Sequence, residues 1–289
     1  MATETRAHQR ELSELFEFEP LETGMLRARP GRANPYGMLF GGQLIGQSIA
    51  TAQVHGDGRS LHSLHLNFIK PGNAQDPIDF AVERLRDGRS FSTRLVRAVQ
   101  GTVPLATATA SFRTGGDGFH HQRPPAETGD PEAAMDIVEA SALVEDEPGP
   151  FTIFVARPCP VELRIPSLDR FYRTSDEARR NYWIRVRPPL PDLTAEDHKV
   201  LFGYISDLML AGVAMVPHLL PMPGSHLRSV SLDHAIWFHG PVDCSRWVLF
   251  ETECSIAANG CNLTRAHAYD ENGTLIASIA QEVLQSAAP

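Results

Sequence analysis

A single aspartate interrupts an apolar stretch in the second half of this 289-residue chain. Asp207 lies within Gly-Tyr-Ile-Ser-Asp-Leu-Met-Leu, residues 203–210. One interpretation places its carboxylate on a narrow solvent-facing stripe of a helix, where it has no chemical role. In the other, the carboxylate is held in a low-dielectric cleft, where it acts as a general base. The periodicity of the sequence leaves both interpretations open.

Two polar side chains on predicted strands are candidates to hydrogen-bond Asp207. Ser231, in Arg-Ser-Val-Ser-Leu-Asp-His, carries a hydroxyl, and Gln281, in Ala-Ser-Ile-Ala-Gln-Glu-Val, carries an amide. With a carboxylate, these groups can orient one water molecule without a strong nucleophile. As residue types alone they are a weak signal, because all three are common.

Other catalytic patterns are poorly supported. The chain has no Gly-x-Ser-x-Gly, so a nucleophile elbow is not expected. Gly41, Gly42 and Gly46 match neither phosphate-binding pattern, and we expect them to allow helix and sheet to approach closely. We expect no structural metal, because the cysteines form no C-x-x-C pair, and four cysteines in 289 residues do not form a disulfide framework. No cofactor is expected. The four cysteines are Cys159, Cys244, Cys254 and Cys261.

Histidines and arginines form two further groups whose predicted role is structural. His234 and His239 flank an aromatic pair and are expected at the surface or at strand ends. Most residues of a basic run in the first half are expected to form a solvated strand face, with contact to ligand phosphates as the alternative. Its members are Arg84, Arg86, Arg89, Arg94 and Arg97.

The elements that position these residues occur twice. Leu39-Phe40-Gly41 and Leu201-Phe202-Gly203 each begin an apolar, helix-like stretch, at an offset of 162. A strand-like run follows each stretch and ends at Pro71 or Pro241, an offset of 170. These helix-like stretches and strand-like runs, and the hairpins that follow them, recur in the same order in both halves. Such a recurrence predicts an internal duplication.

Each half then ends in a predicted hairpin. The runs are 92–99 with 104–113, and 262–269 with 274–284, where Asn272-Gly273 predicts a type I′ turn. Aligning the copies sets Ile45 opposite Asp207 and Ser111 opposite Gln281. Only the second copy therefore has the polar set, which predicts one site per chain.

The helical stretches leave almost no polar face, so both helices must be buried. An antiparallel sheet curling around each helix meets that need, and hairpins suffice to link its strands. The sequence therefore predicts an α+β fold of two sheet-wrapped helices. We assign residues 1–114 to an N-terminal module and residues 151–289 to a C-terminal module.

The connection between the modules is acidic. The formal net charge is −9, and residues 115–150 contribute −8 of it, from nine acids and Arg123. Because it also contains several prolines, this segment is typical of a surface linker. Its apolar residues allow a short helix over 131–144. The nearly neutral remainder argues against nucleic-acid binding. We find no secretion signal or membrane span, and expect a cytoplasmic protein.

These motifs resemble the acyl-CoA thioesterase II family, the TesB-type double-hotdog thioesterases. The resemblance rests on residues 39–52, 62–72 and 83–96, and on 203–210, 231–239 and 277–282. It implies a double hotdog and hydrolysis of acyl-CoA to a fatty acid and coenzyme A. It also implies a catalytic set of Asp207, Ser231 and Gln281, with Ser231 at the family's threonine position.

Two other functions are compatible with a hotdog fold. A hydratase or dehydratase acting on enoyl- or hydroxyacyl-CoA needs an acid–base pair, for which His234 and His239 are the available candidates. A non-catalytic acyl-CoA binder needs no such set. We also expect a homo-oligomer, as the resemblance suggests, and an acyl tunnel whose end is set by one of four side chains. These are Met209, Met215, Trp237 and Phe238.

Overall fold

The structure, a computed structural model, describes residues 10–144, 150–156, 159–172, 175–188, 190, 192–218 and 227–287. In the N-terminal half, helix α1 (Gly41–Val54) is buried from Gly42 to Ala52, as its apolar composition predicts. It packs against four of the six strands of this half. The strands are β1 (Phe18–Pro20), β2 (Leu26–Ala28), β3 (Ser60–Phe68), β4 (Ile78–Asp87), β5 (Phe91–Gln100) and β6 (Val103–Arg113).

The C-terminal half has the same plan with more short helices. Its helices are α2 (Ile137–Ala142), α3 (Pro150–Ala156), α4 (Leu168–Tyr172) and α5 (Ala195–Ser206), with 3-10 helices at Pro131–Ala133 and Leu210–His218. Its strands are β7 (Met135–Asp136), β8 (Val161–Ile165), β9 (Arg179–Val186), β10 (Leu227–Ser231), β11 (Asp233–Phe238), β12 (Val248–Ala258), β13 (Cys261–Tyr269) and β14 (Leu275–Ala287).

All fourteen described strands belong to one antiparallel sheet, in which the order along the main path is β1-β2-β4-β5-β6-β3-β11-β14-β13-β12-β9-β8-β7. The two halves join where β3 pairs with β11, with Asp233 opposite Asn67 and Trp237 opposite Ser63. One hydrophobic core runs through both halves. This is the predicted α+β arrangement of two helices, each covered by an antiparallel sheet.

The two central helices pack directly on each other through glycines. A Cβ on Gly46 would lie 3.0 Å from the Val200 carbonyl oxygen, and one on Gly203 would lie 2.7 Å from Ile49 Cδ1. These glycines therefore allow α1 and α5 to approach closely, whereas the sequence predicted contact between helix and sheet. Larger side chains here would push the helices apart.

The predicted start of the second helix is wrong. Helix α5 begins at Ala195, ahead of Leu201, because Thr194 and Asp197 form a capping box at its N-terminus. The helix ends at Ser206, and Asp207 is its C-cap. Leu39-Phe40-Gly41 leads into α1, whereas Leu201-Phe202-Gly203 lies inside α5. The repeated tripeptide therefore marks different places in the two helices.

The strands, by contrast, do repeat at the predicted offset of 170. Val82 pairs with Val96, and Thr252 pairs with Ala266, each 170 residues further on. Both predicted hairpins are present. The predicted type I′ turn is not, because Gly273 has a φ of +77° while Asn272 is not in the left-handed region.

Part of the acidic segment joins the C-terminal sheet. Met135 pairs with Ile165, and helix α2 falls within the range predicted to be helical. Glu132 accepts hydrogen bonds from Trp247 Nε1 and Arg185 Nη1, both at 2.9 Å. The division of the chain at residues 114 and 150 stays a prediction.

The most apolar segment of the chain lies in the core. Residues Ala195–His218 are long and apolar enough to span a membrane by composition, yet 83% of their most apolar window is buried inside the protein. Core helices of globular proteins have the same composition. All four cysteines are free, as predicted, and the described residues contain no metal-binding cluster of histidine, cysteine or acidic side chains.

Candidate active site

The carboxylate of Asp207 lies at the boundary between the two halves. Asp207 follows the last turn of α5, and its Oδ2 approaches the first residue of α1: a Cβ on Gly41 would lie 2.6 Å from it. Asp207 also lines a cavity. It is therefore not part of a solvent-facing helix stripe, which was the first of the two sequence interpretations.

Ser231 and Gln281 are brought to the same place by pairing of β10 and β11 with β14. Ser231 is the last residue of β10, and Gln281 is a completely buried residue of β14. Gln281 Nε2 donates a hydrogen bond to Ser231 Oγ at 2.5 Å. The three side chains that the sequence singled out thus form one cluster.

Burial raises the pKa of Asp207 to about 7. The Gln281 amide, the Gly42 N–H and the Ser231 hydroxyl favour the ionised carboxylate and lower the pKa, but burial has the larger effect. Among the residues that the structure describes, Asp207 Oδ1 has no hydrogen-bond partner. A carboxylate with a free oxygen and a pKa near neutrality can accept a proton from water.

The cavity beside Asp207 has a volume of about 230 Å³ and is lined by both halves. Lys70 and Tyr36 lie at its exposed side. Ser231 lines the same cavity, close to the carboxylate. Such an apolar pocket with a few converging polar groups is typical of small-molecule sites. Its apolar lining includes Leu39, Phe40, Leu44, Phe68, Phe154 and Leu208.

The start of α1 faces this cavity without a capping side chain. Phe40 is the N-cap residue and makes no side-chain cap. The first N–H groups of a helix have no partners within the helix and carry partial positive charge. The Gly42 N–H already bonds the Asp207 carboxylate, and Gly41 lines the cavity, so the positive end of the helix is directed at Asp207 and at any anionic oxygen beside it.

The equivalent place in the other half is filled. Helix starts Gly41 and Ala195 are 154 residues apart, as are Gln53 and Asp207. Gln53 Nε2 donates to the Glu196 carbonyl oxygen at 2.9 Å, beside the start of α5. Asp207, in the same way, lies beside the start of α1. The structural counterpart of Asp207 is therefore Gln53, and the alignment with Ile45 was wrong.

A buried lysine occupies the space that would correspond to the cavity. Lys199 Nζ donates to Glu196 Oε1 at 2.7 Å, to Ser60 Oγ at 2.5 Å and to the Leu61 carbonyl at 2.9 Å. We call Gln53, Ser60, Glu196 and Lys199 the junction cluster. Its contacts join β3 of the first half to α5 of the second.

The counterpart of Gln281 is Ala110, one residue from the predicted Ser111. Gln281 pairs with Thr264, and 170 residues earlier Arg94 pairs with Ala110. Between the equivalent pairs Val99–Pro104 and Tyr269–Leu275 the second hairpin has one residue more, which caused the error. Ser111 faces the other side of the sheet, where its Oγ contacts His62 Nε2 at 2.8 Å.

His234 lies at a strand end, as one of the two expectations had it, because it is the second residue of β11, but it is completely buried and not at the surface. His239 follows the last residue of β11, is exposed and contacts Ser278 Oγ. Neither histidine lines the cavity, and burial lowers the pKa of His234 to about 4. The two residues are therefore not placed as the acid–base pair on which the hydratase interpretation depended.

Four arginines of the basic run, Arg84, Arg86, Arg89 and Arg97, are exposed, as predicted for most of the run. Arg94 is the exception, because it is completely buried and pairs with Asp57 at 2.9 Å and Asp87 at 2.6 Å. Arg94 contributes to the fold, and none of the five arginines of this run lines the cavity. The four side chains predicted to end an acyl tunnel do not line this cavity either. These are Met209, Met215, Trp237 and Phe238.

Comparison with known proteins identifies the chain. Residues 29–113 match the N-terminal domain of acyl-CoA thioesterases, and residues 136–285 match their C-terminal domain. The chain belongs to the acyl-CoA thioesterase family. Acyl-CoA thioesterase 2 of Haemophilus influenzae is 34% identical to it over 249 residues, which cover 85% of this chain and 87% of that protein.

Two other acyl-CoA thioesterases support the same assignment. Acyl-coenzyme A thioesterase 8 of Homo sapiens is 32% identical over 280 residues, 93% of this chain and 86% of that protein. The crystal structure of acyl-CoA thioesterase II TesB2 from Mycobacterium marinum superposes with a TM-score of 0.75 at 33% identity, and covers 96% of this chain and 97% of that one. The predicted family, fold and enzyme class are confirmed.

Proposed function

We propose that this thioesterase hydrolyses acyl-CoA esters with a water molecule that Asp207, Ser231 and Gln281 orient. The observation that carries the proposal is a carboxylate with a pKa of about 7 that lines an apolar cavity and whose buried Oδ1 has no hydrogen-bond partner among the described residues. A base with a pKa near the working pH combines a large ionised fraction with adequate basicity. The acyl chain occupies the apolar lining, which places the thioester beside Asp207.

The reaction needs no covalent intermediate. The water oxygen attacks the thioester carbonyl carbon while Asp207 takes a proton from the water. The resulting oxyanion is stabilised by the partial positive charge at the start of α1. The C–S bond then breaks, and the proton passes to the leaving thiolate of coenzyme A. A thiolate leaves readily, so no strong general acid is required.

Substitution of the three polar residues tests this assignment. Asp207→Asn keeps the shape of the side chain and removes the base, so kcat should fall by about 10²–10⁴-fold. Ser231→Ala and Gln281→Ala should lower kcat by smaller factors. Asp76→Asn, at an exposed position, is the matched control and should leave kcat unchanged. The assay follows release of free thiol from a series of saturated acyl-CoA esters.

The outcomes of these assays distinguish a thioesterase from a hydratase and from a non-catalytic acyl-CoA binder. A near-normal kcat for Asp207→Asn excludes Asp207 as the base. Loss of the conjugated double bond of crotonyl-CoA without thiol release indicates a hydratase. Tight binding of acyl-CoA without any turnover by the wild-type protein indicates a binder.

We further propose self-association through exposed sheet edges and a cytoplasmic location. The strands β1 and β7, at the two ends of the described sheet, each pair on one side only. Unpaired strand edges favour association with a second chain. Sedimentation of the purified protein measures the oligomeric state, and fractionation of cells measures its location.

A further inference from the structure

The position of His234 is not explained by the packing of the core alone. Its ring is completely buried, and both of its nitrogens have partners. Nδ1 lies 2.7 Å from Gln281 Oε1, and Nε2 lies 2.9 Å from Ser206 Oγ. The ring therefore connects the end of α5, next to Asp207, with the glutamine of the candidate active site.

The hydrogen-bond directions along this chain of groups follow from the orientation of Gln281. Its Nε2 donates to Ser231 Oγ, so its Oε1 is the acceptor that faces His234. His234 Nδ1 must then carry the hydrogen, which leaves Nε2 as an acceptor 2.9 Å from Ser206 Oγ. The single proton of the Ser206 hydroxyl is shared between His234 Nε2 and the Gly203 carbonyl oxygen, which also lies 2.9 Å from Oγ. Because Ser231 Oγ accepts from Gln281, its own proton is free to point at Asp207 or at a water molecule.

We infer that His234 is a positioning residue, which as the neutral Nδ1–H tautomer holds the Gln281 amide with its N–H groups toward Ser231 and the attacking water. The inference rests on the proposed function, because it deepens the role of Gln281 in the same site. Full burial favours the neutral ring and lowers its pKa to about 4.

The reverse orientation of the amide would give a poorer site. If Gln281 turned its Nε2 toward His234, its oxygen would take up the Ser231 hydroxyl hydrogen. Neither the Gln281 amide nor the Ser231 hydroxyl would then donate a hydrogen bond to the ionised Asp207. An amide has nearly the same shape in both orientations, so a fixed donor at His234 is what distinguishes them.

Variants at position 234 test this role. His234→Leu should lower kcat by about 10–100-fold and leave KM within about threefold, because the cavity lining is untouched. His234→Asn carries an N–H donor near the position of Nδ1 and should recover part of kcat. His234→Gln, whose amide extends toward the position of Nε2, should recover less. His239→Leu, at the exposed position that follows the same strand, is the matched control and should behave as wild type.

The tautomer can be measured in the wild-type protein. In protein labelled with ¹⁵N-histidine at pH 8, the His234 signals should be those of a neutral ring protonated at Nδ1. Folded His234→Gln, or sequential assignment of the wild-type spectrum if that variant does not fold, identifies these signals. A ring protonated at Nε2, or an imidazolium, overturns the inference.

The kinetic results distinguish failure of this inference from failure of the proposed function. If Gln281→Ala lowers kcat while folded His234→Leu does not, His234 has no positioning role and the proposed site stands. If Gln281→Ala has no effect, the proposed role of Gln281 fails, and the inference that depends on it fails as well. A change in KM alone for His234→Leu also overturns the inference.

Discussion

The Asp207 carboxylate, from the C-terminal half, lies against Gly41, the first residue of the N-terminal half's central helix. A Cβ at Gly41 would lie 2.6 Å from Asp207 Oδ2 and 3.1 Å from Phe68 Cζ. No side chain other than glycine therefore fits beside the carboxylate in this position. The candidate site depends on this contact between halves.

The contact predicts the effect of Gly41→Ala. The added methyl group should displace the Asp207 carboxylate and lower kcat by about 10–100-fold, since small misplacements of a catalytic group are costly. Thermal stability should fall, because overlap of the methyl group with Asp207 Oδ2 and Phe68 Cζ outweighs the preference of up to about 1 kcal/mol that alanine has over glycine in a helix. Thiol-release kinetics and thermal unfolding check the two effects. An active variant with normal kcat would show that the carboxylate tolerates displacement.

The pKa of Asp207 predicts how activity depends on pH. The proposed base works only when ionised, so kcat should rise with pH through about 7 and level off above it. The residual activity of Asp207→Asn should lack this step. Rates measured from pH 5 to 9 with saturating substrate check the prediction. A flat profile for the wild-type enzyme would mean that another step limits the rate.

Stability should change in the opposite direction. The folded-state pKa of Asp207 is raised from 3.8 to about 7, so between these values the folded protein holds a proton that the unfolded chain releases. Its contribution to stability is therefore present at low pH and lost as pH rises through that window, by at most about 4 kcal/mol. The lowered pKa of His234 has the opposite effect between about 4 and 6.5.

The pH ranges of the Asp207 and His234 effects overlap. The quantity to measure is therefore the difference in free energy of unfolding between a variant and the wild-type protein. The free energy of unfolding of Asp207→Asn minus that of wild type should increase from pH 4 to pH 8. Denaturant titrations at several pH values provide it. A difference that does not vary with pH would contradict the raised pKa of Asp207.

Lys70 should contribute to binding of the coenzyme A phosphates. It is the only cationic residue among the described residues that line the cavity, and it lies at the exposed side. Lys70→Glu should raise KM by about 3–10-fold with little change in kcat, and added salt should reduce the difference. Arg89→Glu, an exposed charge reversal away from the cavity, is the control. Equal effects of both variants would indicate a general effect of net charge.

Ala211 should help to set the preferred acyl chain length. It lies in the 3-10 helix that follows Asp207 and lines the cavity. Ala211→Phe should fill part of the 230 Å³ volume and lower kcat/KM for long acyl chains more than for short ones. Ala211→Ser is the matched small control. A uniform loss for all chain lengths would place Ala211 outside the acyl path.

Lys199 should affect stability and not chemistry. Its side chain is 6% exposed, so Lys199→Met should leave Glu196 without its cation and destabilise the protein by about 1–3 kcal/mol. Values of kcat and KM should stay within about twofold of wild type, because the junction cluster is separate from the cavity. Urea unfolding and thiol-release assays check this pair of expectations. A loss of kcat in the folded variant would contradict it.

The sequence predicted the duplication, the sheets and the cluster of Asp207, Ser231 and Gln281, because polar residues stand out in apolar segments. It did not predict the role of His234, since a buried histidine bonded on both sides has the same local sequence as one at a strand end. The register error at Ser111 arose from a single extra loop residue, and in a strand such an error reverses the side-chain direction. The start of α5 was missed because its first turn is polar.

A site shared between halves also has a consequence for how the protein folds. Each half contributes the hairpins that form early and locally, whereas pairing of β3 with β11 joins residues far apart in sequence and is expected to be slower. Asp207 meets α1 only after that pairing. Recovery of activity during refolding should therefore lag behind recovery of secondary structure, so that catalysis reports the last assembly step of the chain.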